Sequence, residues 1–250
     1  MLFRSSNKSA LKIGETATIT FTFSEDPGTS FTNGDLVVEG GDLSTVRAVA
    51  GSNNLIWEAI FTPTAGSSGN VKIAMDSAKF SDAAGNQNVD GANTLVGAYD
   101  TVAPTVAITR TDGGASVLRA GASAQLTLTF SEEVNDLTLS DITVPAGKGT
   151  VSNLQKSLSN PKVYTVTFTP AADLTPQDVQ LSLASATVVD AFGNANADGA
   201  DADNRLTLSV DTQAPTVNTV AISSSAGSDN TYKLGDVVSV TVTFSEAITV

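Results

Sequence analysis

The sequence predicts an all-β protein built of two-sheet β-sandwiches, each of seven short strands, arranged in tandem. Three observations predict it. Apolar and polar residues alternate with a period of two in one segment after another, as side chains do on the two faces of a strand. No stretch of useful length carries the 3.6-residue apolar period of a helix, and Gly, Pro, Asn and Asp punctuate the segments as turns. The same landmarks also return in the same order about every 107 to 114 residues, the mark of a repeated domain.

The clearest element comes three times. "TITFTF" (18–23) sets Ile19, Phe21 and Phe23 on one face and threonines on the other; "QLTLTF" (125–130) and "SVTVTF" (239–244) do the same, and each runs into Ser-Glu. Phe23 and Phe130 lie 107 residues apart, Phe130 and Phe244 lie 114 apart. "FTP" ending at Pro63 returns at Pro170, "DAAGNQN" from Asp82 returns as "DAFGNAN" from Asp190, and "DTVAPTV" from Asp100 returns as "DTQAPTV" from Asp211. Drifts of a few residues between landmarks belong in loops, which tolerate insertion.

In the middle copy the alternation predicts strands A to G at 106–110, 123–130, 141–144, 150–156, 163–169, 179–189 and 205–210. Short β-branched strands with polar outer faces, separated by turn residues, fit a sandwich of two packed sheets. By the 107-residue offset Met1 aligns with Ile108, so the first copy, 1–100, is expected to lack strand A. The second, 101–211, is complete. The third, 212–250, carries strands A and B only and cannot close a core alone. The chain is therefore expected to be a slice through a longer array.

Composition narrows the chemistry. The 250 residues hold 13 Lys and Arg against 26 Asp and Glu, a net charge of −13, which repels nucleic acid and anionic membranes. The same charge suits a hard cation if the carboxylates are gathered. There is no Cys and no His, which removes disulfides, thiol nucleophiles, Cys or His zinc sites and every triad with an imidazole base. No apolar run approaches the roughly 20 residues of a membrane span. The start, "MLFRSSNKSA", has neither the apolar core nor the cleavage site of a signal peptide; any export signal is expected outside this sequence.

The ordered set "DTxAPTV", "TFSE" and "DxxGN" resembles the bacterial immunoglobulin-like repeats of large surface adhesins and other exported repetitive proteins. The resemblance covers essentially the whole chain. It implies tandem immunoglobulin-like sandwiches, an extracellular or cell-surface location, and calcium near the domain junctions. The sequence departs from antibody-type domains, having neither their paired cysteines nor the tryptophan packed on them; Trp57 falls on strand E, in line with Tyr164, and both are expected in the core.

In such a sandwich the entering linker, the B–C loop and the F–G loop share one pole, and the three repeated motifs are these three elements. Asp100, Glu132, Glu133 and Asp190 are therefore expected to meet beside the preceding domain. With Asn194 and backbone carbonyls they would supply the six to eight oxygens that Ca²⁺ takes. Asp198, Asp201 and Asp203, in "NADGADADN", offer a further site. Asp211 and Glu246 mark the next junction, and Glu25, Asp26 and Asp82 the first copy, both incomplete. A second reading stands beside this one: Asp before Gly-Asn is ordinary turn chemistry, a Glu after a strand is commonly solvated, and the acidic run at 198–203 fits a disordered loop.

Function follows the same fork. The leading expectation is a non-catalytic spacer that projects other modules from a cell surface or within a biofilm matrix. Its partners are then the neighbouring repeats, with a host or matrix receptor engaged through other modules. The alternative is a glycan- or protein-binding accessory module of an extracellular enzyme. One Trp, three Tyr and ten Phe, mostly at inward strand positions, leave few aromatic faces for sugars. Catalysis by the chain's own carboxylates lacks any evident substrate cleft.

Overall fold

The computed structural model describes residues 3–89 and 94–249, and two sandwiches of the same plan follow one another along it. In the first, one sheet joins β1 (Phe3–Ser6), β3 (Ala17–Thr22), β7 (Ile56–Pro63) and β5 (Gly41–Leu43) in that order, with β6 (Arg47–Ala48) also on β7. The other joins β2 (Ala10–Leu11), β9 (Thr94–Asp100), β8 (Ser68–Met75) and β4 (Leu36–Glu39). In the second sandwich, β10 (Val106–Arg110), β12 (Ala124–Phe130), β15 (Val163–Pro170) and β14 (Gly149–Lys156) form the first sheet. Its second sheet is β11 (Val117–Leu118), β17 (Arg205–Val210), β16 (Gln177–Leu183) and β13 (Ile142–Thr143). These are the A-B-E-D and G-F-C sheets of the immunoglobulin plan.

Strand A leaves one sheet and re-enters the other as a two-residue strand parallel to G, a switch the alternation alone does not announce. Asp112 holds this crossover. Its carboxylate accepts from Arg110 Nε at 2.6 Å, from Gly114 N–H at 3.0 Å and from Gln125 N–H at 2.9 Å. Arg110 first, then these backbone donors, draw its pKa from 3.8 down to about 2. A carboxylate with a depressed pKa stabilises the fold above the unfolded value and loses that contribution as pH falls through the folded one. Asp112→Asn is thus expected to cost about 1 kcal/mol near neutrality, with its difference from the parent shrinking between the ordinary carboxylate pKa and about pH 2; denaturant unfolding across that window measures it.

The alternation packs as expected. Ile19, Phe21 and Phe23 are buried in one apolar cluster and Leu126, Leu128 and Phe130 in a separate one, while the intervening threonines face outward. Tyr164 is buried and its hydroxyl donates to Val134 O at 3.1 Å. Trp57 is half-buried, edge-on to Phe31, with its indole N–H on Asn54 O at 2.8 Å.

Three expectations are corrected. The first copy does not lack strand A: β1 pairs with β3. Ser6 pairs with Ile19, 13 residues on, where Arg110 pairs with Leu126, 16 residues on, so a loop three residues shorter defeats a constant offset. Strand C covers Ile142–Thr143 only, because Leu139–Asp141 is a 3₁₀ turn in which the Asp141 carboxylate accepts from Thr138 N–H at 2.7 Å. Strand F ends at Leu183 rather than at residue 189. Ala186 adopts φ 60°, and Asn196 Oδ1 accepts the N–H groups of Thr187 and Val188, so the apolar run turns out of the sheet.

Gly41 and Gly149 occupy the same register position, opposite Pro63 and Pro170. A Cβ on Gly149 would stand 2.5 Å from Thr169 O and 2.7 Å from the Phe168 ring. Gly149→Val is expected to destabilise the second sandwich by about 1–3 kcal/mol, the usual cost of overpacking, read as a lower denaturant midpoint. Beyond Asp211, β18 (Val217–Ile222) and β19 (Val240–Phe244) form a two-stranded hairpin in which every residue of β18 is exposed.

Candidate functional site

The F–G turn of each sandwich is built by its own motif. In the second, Asp190 Oδ1 accepts from the N–H groups of Phe192 and Asn194, both at 2.8 Å, and Asn194 Nδ2 donates to Asp190 Oδ2 at 2.7 Å. Gly193 takes φ 84° and closes the turn onto Asp190 O. The first sandwich repeats this bond for bond through Asp82, Ala84, Gly85 and Asn86. Their surroundings differ: Asp190 and Asn194 are buried at 3% and 2% exposure, whereas Asn86 is exposed.

The first sandwich is what covers the second turn. Asn194 Oδ1 accepts from Ile13 N–H at 2.8 Å, Asn194 Nδ2 donates to Asp100 O at 3.0 Å, and Lys12 Nζ donates to Gly193 O at 3.1 Å. The linker is fastened on both sides. Thr101 Oγ1 donates toward Thr64 O and Ser67 O of the preceding sandwich, and Thr105 exchanges two bonds with Ser131 of the following one, N–H to Oγ at 3.0 Å and O from N–H at 2.9 Å. At the next joint Thr212 binds Ala171 and Leu174, and Thr216 binds Ser245, in the same manner. Sequence reasoning assigned no role to these hydroxyls, although the Thr of "DTxAP" and the Ser of "TFSE" recur with the acids.

Linker, B–C loop and F–G loop bring three carboxylates together. One oxygen each of Asp100, Glu132 and Asp190 lies within 4.8 Å of the other two. Asp100 Oδ1 also accepts from Val102 N–H at 2.9 Å, which sets its rotamer. The Glu132 carboxyl is pushed above its ordinary value, first by burial, then by the charges of Asp100 and Asp190; Lys162, whose ammonium donates to Ser131 O at 2.8 Å, acts the other way. Ligand oxygens on opposite sides of Ca²⁺ stand roughly 4.6–5.2 Å apart, twice the usual metal–oxygen distance, so these side chains fit one such ion.

The other candidates lie elsewhere. Glu133 turns away to Lys156 Nζ at 2.6 Å, adjacent residues of an extended chain pointing to opposite sides. Asn194 Oδ1 is engaged across the joint by Ile13 N–H. Asp198, Asp201 and Asp203 form no group of gathered carboxylates among the described residues. Asp198 is buried, its carboxylate accepting from Val106 N–H and its carbonyl from Asp201 N–H and Asn204 Nδ2, while Asp203 O accepts from Ile108 N–H. That run borders strand A. Asp211 and Glu246 line one groove, and each keeps one buried oxygen without a hydrogen-bond partner. Glu25 and Asp82 line the cleft at the outer pole of the first sandwich; Asp26 is engaged by Gly28 and Asn54.

Like sandwiches joined end to end through a hydrogen-bonded acidic pole define a tandem immunoglobulin-like array. The chain belongs to the bacterial Ig-like domain family, whose sequence profile matches residues 4–99 and again residues 100–208. Among solved structures it is similar to FdeC, an adhesin of Escherichia coli, at 14% identity and TM-score 0.39, covering 89% of this chain and 67% of that one. It is also similar to InvD of Yersinia pseudotuberculosis (15% identity, TM-score 0.36, 93% and 66%) and to the adhesin InvE of the same organism (12%, 0.33, 84% and 58%). These likenesses concern the fold alone. No curated protein matches the chain. Among the described residues no helix is long and apolar enough to cross a membrane.

Proposed function

We propose that the chain is a non-catalytic spacer from a bacterial cell-surface or secreted adhesin, and that Ca²⁺ held by Asp100, Glu132 and Asp190 stiffens the joint between its sandwiches. The observation that carries this reading is the meeting of three carboxylates, from segments spread over 90 residues, at the joint itself. Without a cation the charges repel and the pole is weakened; a divalent ion reverses the sign and ties the linker to two loops of the following sandwich. Length and a defined joint are what a projecting array needs. The extracellular setting is supported by family membership and suits a chain without cysteine.

Calorimetric titration of Ca²⁺ into the full chain, paired with X-ray scattering in calcium and in chelator, tests it. Saturable heat and a longer, less variable particle in calcium are expected. Absence of heat together with identical scattering curves overturns the reading.

A further inference from the structure

We infer that Asn194 is the coupling residue of the joint: it clasps the preceding sandwich without any ion, and it makes cation affinity depend on that sandwich being in place. The second half rests on the calcium reading above; the first does not.

The amide cannot be turned round. Asp190 Oδ2 accepts and never donates when ionised, so the Asn194 group facing it at 2.7 Å is Nδ2, and Oδ1 points outward as an acceptor. The turn motif thus pre-aims a receptor for an N–H. Asn86 carries the same internal bonds and is exposed, so the outward acceptor is made by the motif and not by its neighbour.

The donor is equally built in. Ile13 is the second residue of a turn closed by Glu15 N–H on Lys12 O at 3.0 Å, with Gly14 at φ 75° in the third position. The N–H of a second turn residue lies outside the turn's own hydrogen bond and is free to reach Asn194. Arg119 to Ala122 repeat the turn, with Ala122 N–H on Arg119 O and Gly121 at φ 76°. Each complete sandwich therefore presents a donor turn below and an acceptor turn above.

The coupling follows from what else Asn194 holds. Its Nδ2 bridges Asp190 Oδ2 and Asp100 O, two of the three residues of the carboxylate group, while its Oδ1 is fixed by Ile13. The turn has already aimed the amide; seating the preceding sandwich brings Asp100 O onto Nδ2 beside Asp190, and that sets the two acids against each other. By reciprocity, whatever factor the clasp adds to cation affinity, the cation adds to the clasp.

Ile13→Pro is the clean test. Proline is favoured at the second position of a turn whose third residue is a glycine at positive φ, so the substitution removes the N–H and leaves Asp100, Glu132 and Asp190 untouched. Spin labels on Asn70→Cys and Gln180→Cys, exposed positions on β8 and β16, report the inter-sandwich distance in a chain that has no cysteine of its own. In chelator, Ile13→Pro and Asn194→Ala are expected to broaden the distance distribution, and Asn86→Ala, the same turn residue at the pole of the first sandwich away from this joint, to leave it unchanged. In calcium titrations the first two are expected to weaken binding about tenfold and the third not at all. Unchanged distances in Ile13→Pro overturn the clasp even if calcium binds the parent. Broadened distances with no calcium heat in the parent uphold the clasp and remove the cation. Circular dichroism of Ile13→Pro, whose second sandwich is unaltered, separates a loose joint from a lost fold.

Discussion

Phe168→Ala is expected to cost the second sandwich about 3–5 kcal/mol, the usual range for emptying a buried aromatic site. Phe168 is fully buried on β15, and its ring lies against Gly149, where the close approach of β14 leaves no side chain to move into the space. The site cannot collapse, so the upper half of that range applies. A single domain of this size is stable by only about 5–15 kcal/mol, and a large fraction of that margin disappears. The loss is local, because the two sandwiches have separate apolar clusters. Differential scanning calorimetry is therefore expected to show one transition moved far down and the other moved much less. Equal displacement of both would mean that the sandwiches unfold as one unit.

The second large effect is the response to calcium, and Glu132→Gln isolates it. A ligand at a hundred times its dissociation constant stabilises the state that binds it by about 2.7 kcal/mol, a rise in melting temperature on the order of 10 °C for a domain of about 100 residues. The parent is expected to show that rise between chelator and calcium. Glu132→Gln keeps the shape and removes one charge. In chelator it is expected to melt no lower than the parent, since it relieves repulsion from Asp100 and Asp190; in calcium it is expected to gain little.

The sign agrees with the titration of Glu132. Its folded value is raised, so the unfolded chain gives up the proton first, and the ionised group detracts from stability above the ordinary carboxylate range. The detraction vanishes as pH falls through that range. A Glu132→Gln protein less stable than the parent in chelator would contradict the account of a self-repelling pole.

Much of this was legible beforehand because the signals are local. Alternation over six residues places Ile19, Phe21 and Phe23 on one face whatever surrounds them. The order of the motifs along seven strands, with their parity, sends the linker and the loops after B and F to a common end. The choice among neighbouring acids was not legible. Glu132 and Glu133 are chemically alike, and the direction of the loop backbone decides which faces the joint and which is left to Lys156 of strand D. The acids at 198–203 read as a second site, and only the fold shows the Asp198 carboxylate taken up by Val106 N–H of strand A and the three acids not gathered into a group among the described residues.

By itself the sequence determined that this chain is a series of like β-sandwiches with acids at one pole, since periodicity and repetition need no knowledge of distant contacts. Tertiary structure alone decided that a threonine, a serine and an asparagine fasten the joint, and which three carboxylates share it. Those are matters of hydrogen-bond direction between groups up to 181 residues apart, and direction exists only once the backbones that carry the donors and acceptors have been placed.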